Sequence, residues 1–302
     1  MVRRSWFIVA VLAALFAGCG PVPASRPSTA DVVPVGTSSR QLTSDGRTRS
    51  YLVHRPATPP PVGGYPLVVM LHGGLGSAAQ AERSYGWDAL ADQQGFVVVY
   101  PDGIDRTWNA GSCCGRAQRD DVDDVAFLSA MVTTLEQQLA IDPRRRFVTG
   151  MSNGAMMSYR LACQTTLFAA FAPVAGTQLS DCDNAAPASL LAIHGADDDT
   201  VRLDGRPGSG SVHVVGPALA SVLDGWRRRD SCPSFTTLVD GAVTTRTTAC
   251  PEHRTVTWII VADAGHQWPG STARSYPGAD SPSDAVDATT TIWSFFVQHP
   301  AR

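Results

Sequence analysis

Six short apolar runs punctuate the chain: 66–73 (PLVVMLHG), 95–103 (GFVVVYPDG), 145–150 (RRFVTG), 168–176 (FAAFAPVAG), 189–195 (SLLAIHG) and 255–266 (TVTWIIVADAGH). Each runs into Gly, Pro or Asp, and the apolar residues are continuous rather than alternating, as in strands buried on both faces. Between them, 77–94, 123–140, 153–167, 214–230 and 284–298 carry apolar residues at helical spacing. Buried strands alternating with helices predict a mostly parallel sheet covered on both faces, an α/β domain over residues 39–302. Asp45-Gly46, followed by apolar–polar alternation from Arg49 to Arg55, predicts an opening hairpin, and "PATPPPVGGYP" a loop.

The first residues have a different pattern. Arg3 and Arg4 precede an apolar run, 6–16, that is too short to cross a bilayer of roughly 30 Å but suits the core of a signal peptide. Its end, Leu15-Phe16-Ala17-Gly18-Cys19, resembles the bacterial lipobox. That likeness implies residues 1–18 as a lipoprotein signal peptide and Cys19 as the lipidated first residue. The alternative is an ordinary signal peptide cut nearby, and on either reading the chain is exported to the cell envelope or beyond. Residues 19–38, rich in Pro and Ser, read as a tether.

Composition narrows the partners. The 302 residues are 44% apolar with a net charge of −3 from interspersed charges, so no basic patch points to nucleic acid. Of seven cysteines, six follow Cys19, an even number that suits disulfides in an oxidising compartment. Sequence nearness favours Cys163 with Cys182 and Cys232 with Cys250. Cys113 and Cys114 are then either a vicinal pair or bonded elsewhere. No cysteine or histidine spacing indicates a metal site.

The chemistry begins at "VTGMSNGAM" (148–156). In a chain with 27 glycines and 25 serines, Gly-Xaa-Ser-Xaa-Gly is met by chance about 0.2 times, so the bare pattern is weak. Here it follows a strand-like run and precedes a helix-like one, the strand, turn and helix of a nucleophile elbow. Ser152 is therefore the candidate nucleophile, and the Asn153 amide at the helix start a candidate oxyanion donor. A serine needs a base, and the base an orienting acid, expected after later strands in the order Ser, Asp, His. "LLAIHGADDDTV" supplies Asp197, Asp198 and Asp199, all on one loop and all open as the acid on a local reading; "IIVADAGHQWPG" supplies His266. The glycines of "MLHGGLG" (70–76) allow close backbone approach to a substrate oxygen, with Gly74 the best second donor. His72 and His194 read as turn-forming or supporting residues. Asp120, Asp121, Asp123 and Asp124 in "RDDVDDVAFL" read as helix-capping acids. Trp108 and Trp268 are candidates to stack on substrate, with core packing the alternative.

Seven blocks, "GRTRSYLVHRP", "PLVVMLHGGLGS", "YPDG" with "TWNAGSCCG", "DDVDDVAFL", "GMSNGAMMSYRLAC", "HGADDDTV" and "GHQWPG", resemble in the same order those of a family of extracellular esterases. The family includes polyhydroxybutyrate depolymerase-like, feruloyl esterase-like and acetyl-xylan esterase-like enzymes, LpqC-type lipoproteins among them, and the likeness covers about residues 45–298. It implies an α/β-hydrolase fold and a Ser152–Asp198–His266 triad, with backbone donors at Gly74 and Asn153 and no cofactor. The expected protein is a monomeric serine esterase with an open cleft and no large cap. Its substrate is a small or polymeric ester, and only a lipid anchor joins it to the membrane. A non-catalytic binding protein and an acyltransferase are the alternatives on the same fold.

Overall fold

The computed structural model describes residues 33–209, 214–272 and 279–301. The expected signal peptide, Cys19 and most of the tether lie outside them. Among the described residues the strands are β1 (Gly36–Ser44), β2 (Arg47–Arg55), β3 (Tyr65–Leu71), β4 (Val97–Pro101), β5 (Ile141–Met151), β6 (Ala170–Val174), β7 (Ser189–Gly195), β8 (Thr236–Asp240), β9 (Val243–Ala249) and β10 (Thr255–Val261). They form one sheet in the order β1-β2-β4-β3-β5-β6-β7-β10-β9-β8. The six central strands, β4 to β10 in that order, are parallel, and an antiparallel pair closes each edge. This is the sheet the apolar runs predict, on an α/β-hydrolase plan.

The strands are continuously apolar because successive side chains feed two cores. Leu67, Val69 and Leu71 of β3 face one, shared with α4 (Asp124–Gln138), α5 (Asn153–Gln164) and α6 (Leu219–Arg229). Val68 and Met70 face the other, with α1 (Ala78–Tyr85), α2 (Trp87–Gln94) and α7 (Ala288–Gln298). Stacked rings lock this second face, Phe96 on Trp293 at 4.0 Å and Phe147 on Phe296 at 4.7 Å.

Three features depart from the sequence reading. The helix expected over 77–94 is broken at Gly86, whose φ of +72° ends α1 and opens α2. The hairpin β8–β9 was not foreseen: β8 is exposed along its whole length and β9 is rich in threonine, so neither has the apolar signature of a buried strand. Val33 is fully buried and β1 starts at Gly36, so the domain begins inside the stretch read as tether. Among the described residues the disulfides are Cys113–Cys114, Cys163–Cys182 and Cys232–Cys250.

The acidic run 120–124 braces more than it caps. Asp123 does cap α4, accepting from the Ala126 amide at 2.9 Å. Asp124 is fully buried and takes Arg49 of β2 at 2.7 Å on one oxygen and the Asn109 amide at 2.8 Å on the other. Burial pushes the Asp124 carboxyl above its ordinary range while the Arg49 guanidinium, which also lies 3.9 Å from the Phe127 ring centre, pulls the other way. The pair ties β2 to the loop that carries Trp108. Removing one partner strands the other in the core, so Arg49→Met should cost about 3–5 kcal/mol in urea unfolding, with part recovered in Arg49→Met/Asp124→Asn.

Candidate active site

The parallel sheet grows outward from β3, with β4 on one side and β5 on the other, and this switch of direction leaves a crevice at the strand ends. Leu71 of β3 pairs with Gly150 of β5. That register sets the His72-Gly73-Gly74 turn beside the Met151-Ser152 turn. Farther along, Gly195 of β7 pairs with Val261 of β10, so the chain segments reaching Asp198 and His266 leave the sheet side by side.

Ser152 stands between β5 and α5 with φ +55° and ψ −115°, a conformation that L-residues avoid. Its amide donates to Val174 of β6 at 2.9 Å, and its carbonyl accepts the Met156 amide at 2.9 Å. The turn needs its flanking glycines. A Cβ at Gly150 would lie 2.5 Å from the Gly154 carbonyl carbon, one at Gly154 would lie 2.5 Å from the His72 oxygen, and one at Gly176 would lie 2.6 Å from the Ala155 Cβ.

The Ser152 hydroxyl meets His266 Nε2 at 2.8 Å, and His266 Nδ1 meets Asp198 Oδ2 at 2.8 Å. Nδ1 faces a carboxylate and so carries the proton, leaving Nε2 as the acceptor for the serine. Of the three neighbouring acids only Asp198 is buried; Asp199 is exposed and pairs with Arg202 at 2.9 Å. Asp198 Oδ1 accepts the amides of Thr200 at 2.9 Å and Val201 at 2.7 Å. Burial opposes its charge, but hydrogen bonds from His194 and His266 hold its carboxyl well below the usual carboxylate range. His194 Nε2 lies 3.1 Å from Asp198 Oδ2 and 2.8 Å from the Val201 oxygen, while its Nδ1 is buried without a partner. The proton therefore belongs on Nε2, and His194 is a second donor to the acid. The spacing His194 to Asp198, four residues across one turn, was its available signal. His266 itself is anchored by Asp280 Oδ2, which accepts its amide at 2.5 Å. Asp280 carries no sequence motif.

The second glycine turn is fixed by a neutral histidine. His72 is fully buried; its Nδ1 donates to the Gly73 oxygen at 2.7 Å and its Nε2 accepts the Gly103 amide at 3.0 Å. Burial lowers its pKa, which suits that arrangement of one donor and one acceptor. Holding the Gly73 oxygen turns the Gly74 amide of the same planar peptide the opposite way. Gly74 and Asn153 both line a cleft of about 400 Å³ that also exposes Ser152 and His266.

Trp108 and Trp268 do not line that cleft, a correction to their reading as substrate platforms. Trp108 is fully buried against His72, its indole donating to the His72 oxygen at 2.9 Å. Trp268, 1% exposed, stacks on Tyr85 and donates to Thr289 at 3.0 Å. Both belong to the frame behind the site. Asn153 is held there too: its side chain accepts the Trp108 amide at 2.7 Å and donates to the Trp108 oxygen at 3.0 Å. The apolar wall of the cleft comes instead from Cys114, Met156 and Val214.

A larger cavity, about 560 Å³, opens near Phe168, Ser189 and Arg254, at the opposite ends of β6, β7 and β10, and contains none of Ser152, Asp198 and His266. Among the described residues, the one cluster of potential metal ligands is Asp230 with Cys232 and Cys250, whose sulfurs are joined in a disulfide.

A central parallel sheet with a nucleophile-type turn after β5 and an acid and a histidine after β7 and β10 defines the α/β-hydrolase class. The acetyl xylan esterase of Aspergillus awamori superposes with a TM-score of 0.61 at 16% identity, over 86% of this chain and 99% of that one. LpqC, a poly(3-hydroxybutyrate) depolymerase of Bordetella parapertussis, gives 0.51 at 15% identity, over 78% and 86%. The chain belongs to the esterase PHB depolymerase family, whose model matches residues 50–222. It is 31% identical to NocK of Nocardia uniformis subsp. tsuyamanensis, itself named only as a candidate esterase, over 93% of this chain and 94% of that protein. It is 36% identical to feruloyl esterase C of Emericella nidulans over 40% of this chain and 42% of that protein.

The glycine contacts give a direct test. Gly154→Ala has no space toward Leu71 or His72, so it should cost about 1–3 kcal/mol in thermal unfolding and displace the Ser152 turn.

Proposed function

We propose that this protein is an exported serine esterase that hydrolyses carboxylic esters through an acyl-enzyme. The observation that carries the proposal is the unbroken series from Ser152 Oγ through His266 to Asp198, with both contacts at 2.8 Å, at the wall of an open cleft. Ser152 Oγ attacks the ester carbonyl carbon as its proton passes to His266 Nε2, and Asp198 stabilises the imidazolium. The oxyanion forms facing the Gly74 and Asn153 amides, the second at the start of α5, where unpaired N–H groups and the helix dipole favour negative charge. The tetrahedral intermediate collapses, the C–O bond to the alcohol breaks, and the alcohol leaves with the proton from His266. Water then attacks the acyl-enzyme with His266 again as base, releasing the acid and restoring Ser152.

The family membership supports ester substrates, and the three disulfides support an oxidising, extracytoplasmic location. A lipid anchor on Cys19 and a tether leading to a single hydrolase domain complete the proposed organisation.

Two measurements test the mechanism. Ser152→Ala should lower kcat for p-nitrophenyl acetate on the order of 10⁶-fold, and fluorophosphonate labelling should be lost with it; wild-type turnover in that variant would sink the proposal. Asp198→Asn should lower kcat about 10⁴-fold with little change in KM, since it upsets the histidine's tautomer rather than substrate contacts. His194 should act on the pH profile. His194→Phe removes one donor from Asp198, so the carboxylate pulls harder on His266, and the acid limb of kcat/KM should move to higher pH.

A further inference from the structure

The lining of the cleft is asymmetric in charge. Arg116 and Arg119 of α3 (Gly115–Arg119) both face it, against one carboxylate, Asp105. Arg116 is spoken for by Asp120 at 3.1 Å, in an exposed i,i+4 pair. The Arg119 side chain has no ion-pair or hydrogen-bond partner among the described residues, although Asp120 and Asp121 follow it directly in the chain. Arg119 is thus a cation at the cleft wall that no carboxylate among the described residues pairs with.

The apolar part of the wall adjoins it. Met156 lies one helical turn beyond Ser152 on α5, and Cys114 immediately precedes α3. Cys113 and Cys114 pack in one apolar cluster with Met156 and Val214. The cleft thus offers a nucleophile, an apolar strip and a cation. We infer that the preferred substrate is an ester whose acyl part is a short apolar spacer ending in a carboxylate. The spacer lies along Cys114 and Met156, and the carboxylate meets Arg119, whose planar fork suits two-pronged pairing. This rests on the esterase reading of the same site.

The test compares p-nitrophenyl butyrate with mono-p-nitrophenyl glutarate, which differ chiefly in a terminal carboxylate. The glutarate-to-butyrate ratio of kcat/KM should fall about tenfold in Arg119→Ala, further in Arg119→Glu, and partly recover in Arg119→Lys. In the wild type the ratio should also fall as salt is raised. A ratio unchanged in both Arg119→Ala and Arg119→Glu overturns the inference while leaving the esterase reading intact, since butyrate turnover reports on that separately. Binding supplies a readout that needs no turnover. By calorimetry, Ser152→Ala protein should bind monomethyl glutarate more tightly than methyl butyrate, and lose that preference in Ser152→Ala/Arg119→Ala. Equal binding of the two esters by the Ser152→Ala protein also overturns the inference.

Discussion

The site depends on one backbone constraint, the reversal at Ser152. Its φ of +55° and ψ of −115° cost on the order of 1–3 kcal/mol, held in place by the sheet on one side and α5 on the other. The strain places the hydroxyl out of the sheet edge and starts α5 immediately, so the same turn presents a hydroxyl and a helix N-terminal amide to one point in space. Three backbone positions against it leave no room for a side chain. Gly150, Gly154 and Gly176 give the turn room, and the close approach of α5 to the end of β3 places Asn153 across from Gly74. A larger residue at any of the three would force the turn to relax, and a relaxed turn withdraws both groups together.

Around that turn most buried polar atoms are hydrogen-bonded, and the pattern of donors and acceptors sets which form each group takes. Asp198 faces four donors, the His266 and His194 rings and two amides. Each favours the carboxylate, enough to overcome the desolvation that works against it. His72 is matched in the opposite sense: one ring nitrogen donates, the other accepts, and burial favours the neutral ring that can do both. The Asp198 side of the site is therefore held charged and the Gly74 side is braced by a neutral group. The proposed reaction, with positive charge developing on His266 and negative charge near Gly74, calls for that division.

Residues whose role follows from backbone geometry were legible in the sequence, and those whose role follows from three-dimensional proximity were less so. The elbow glycines, the strand runs and the positions of Asp198 and His266 just after strands all leave local signatures, and the six parallel strands stand where the apolar runs lie. Choosing Asp198 over its neighbours needed the family resemblance, because three adjacent acids on one loop look alike until burial separates them. Of the two readings open for Trp108 and Trp268, core packing holds and substrate stacking does not, because nearness in sequence to a site says nothing about which way a side chain points. Asp280 was invisible: it reaches the His266 amide from fourteen positions away with no motif around it. The β8–β9 hairpin was missed because an exposed, threonine-rich edge lacks the apolar signal that marks its neighbours.

The buried tryptophan matters more to the site than a stacking platform would. Trp108 exchanges two hydrogen bonds with the Asn153 side chain and gives its indole proton to the His72 carbonyl, so it joins the first residue of α5 to the residue that precedes the glycine turn. The next residue, Asn109, donates its amide to Asp124, which is paired with Arg49 on β2. A chain of buried polar contacts thus runs from β2 to the residues that carry the two amides at the cleft. Removing one member of such a network leaves its partners buried and unpaired, a larger loss than that of the contact itself. The network positions the Gly74 and Asn153 amides from behind, through core residues.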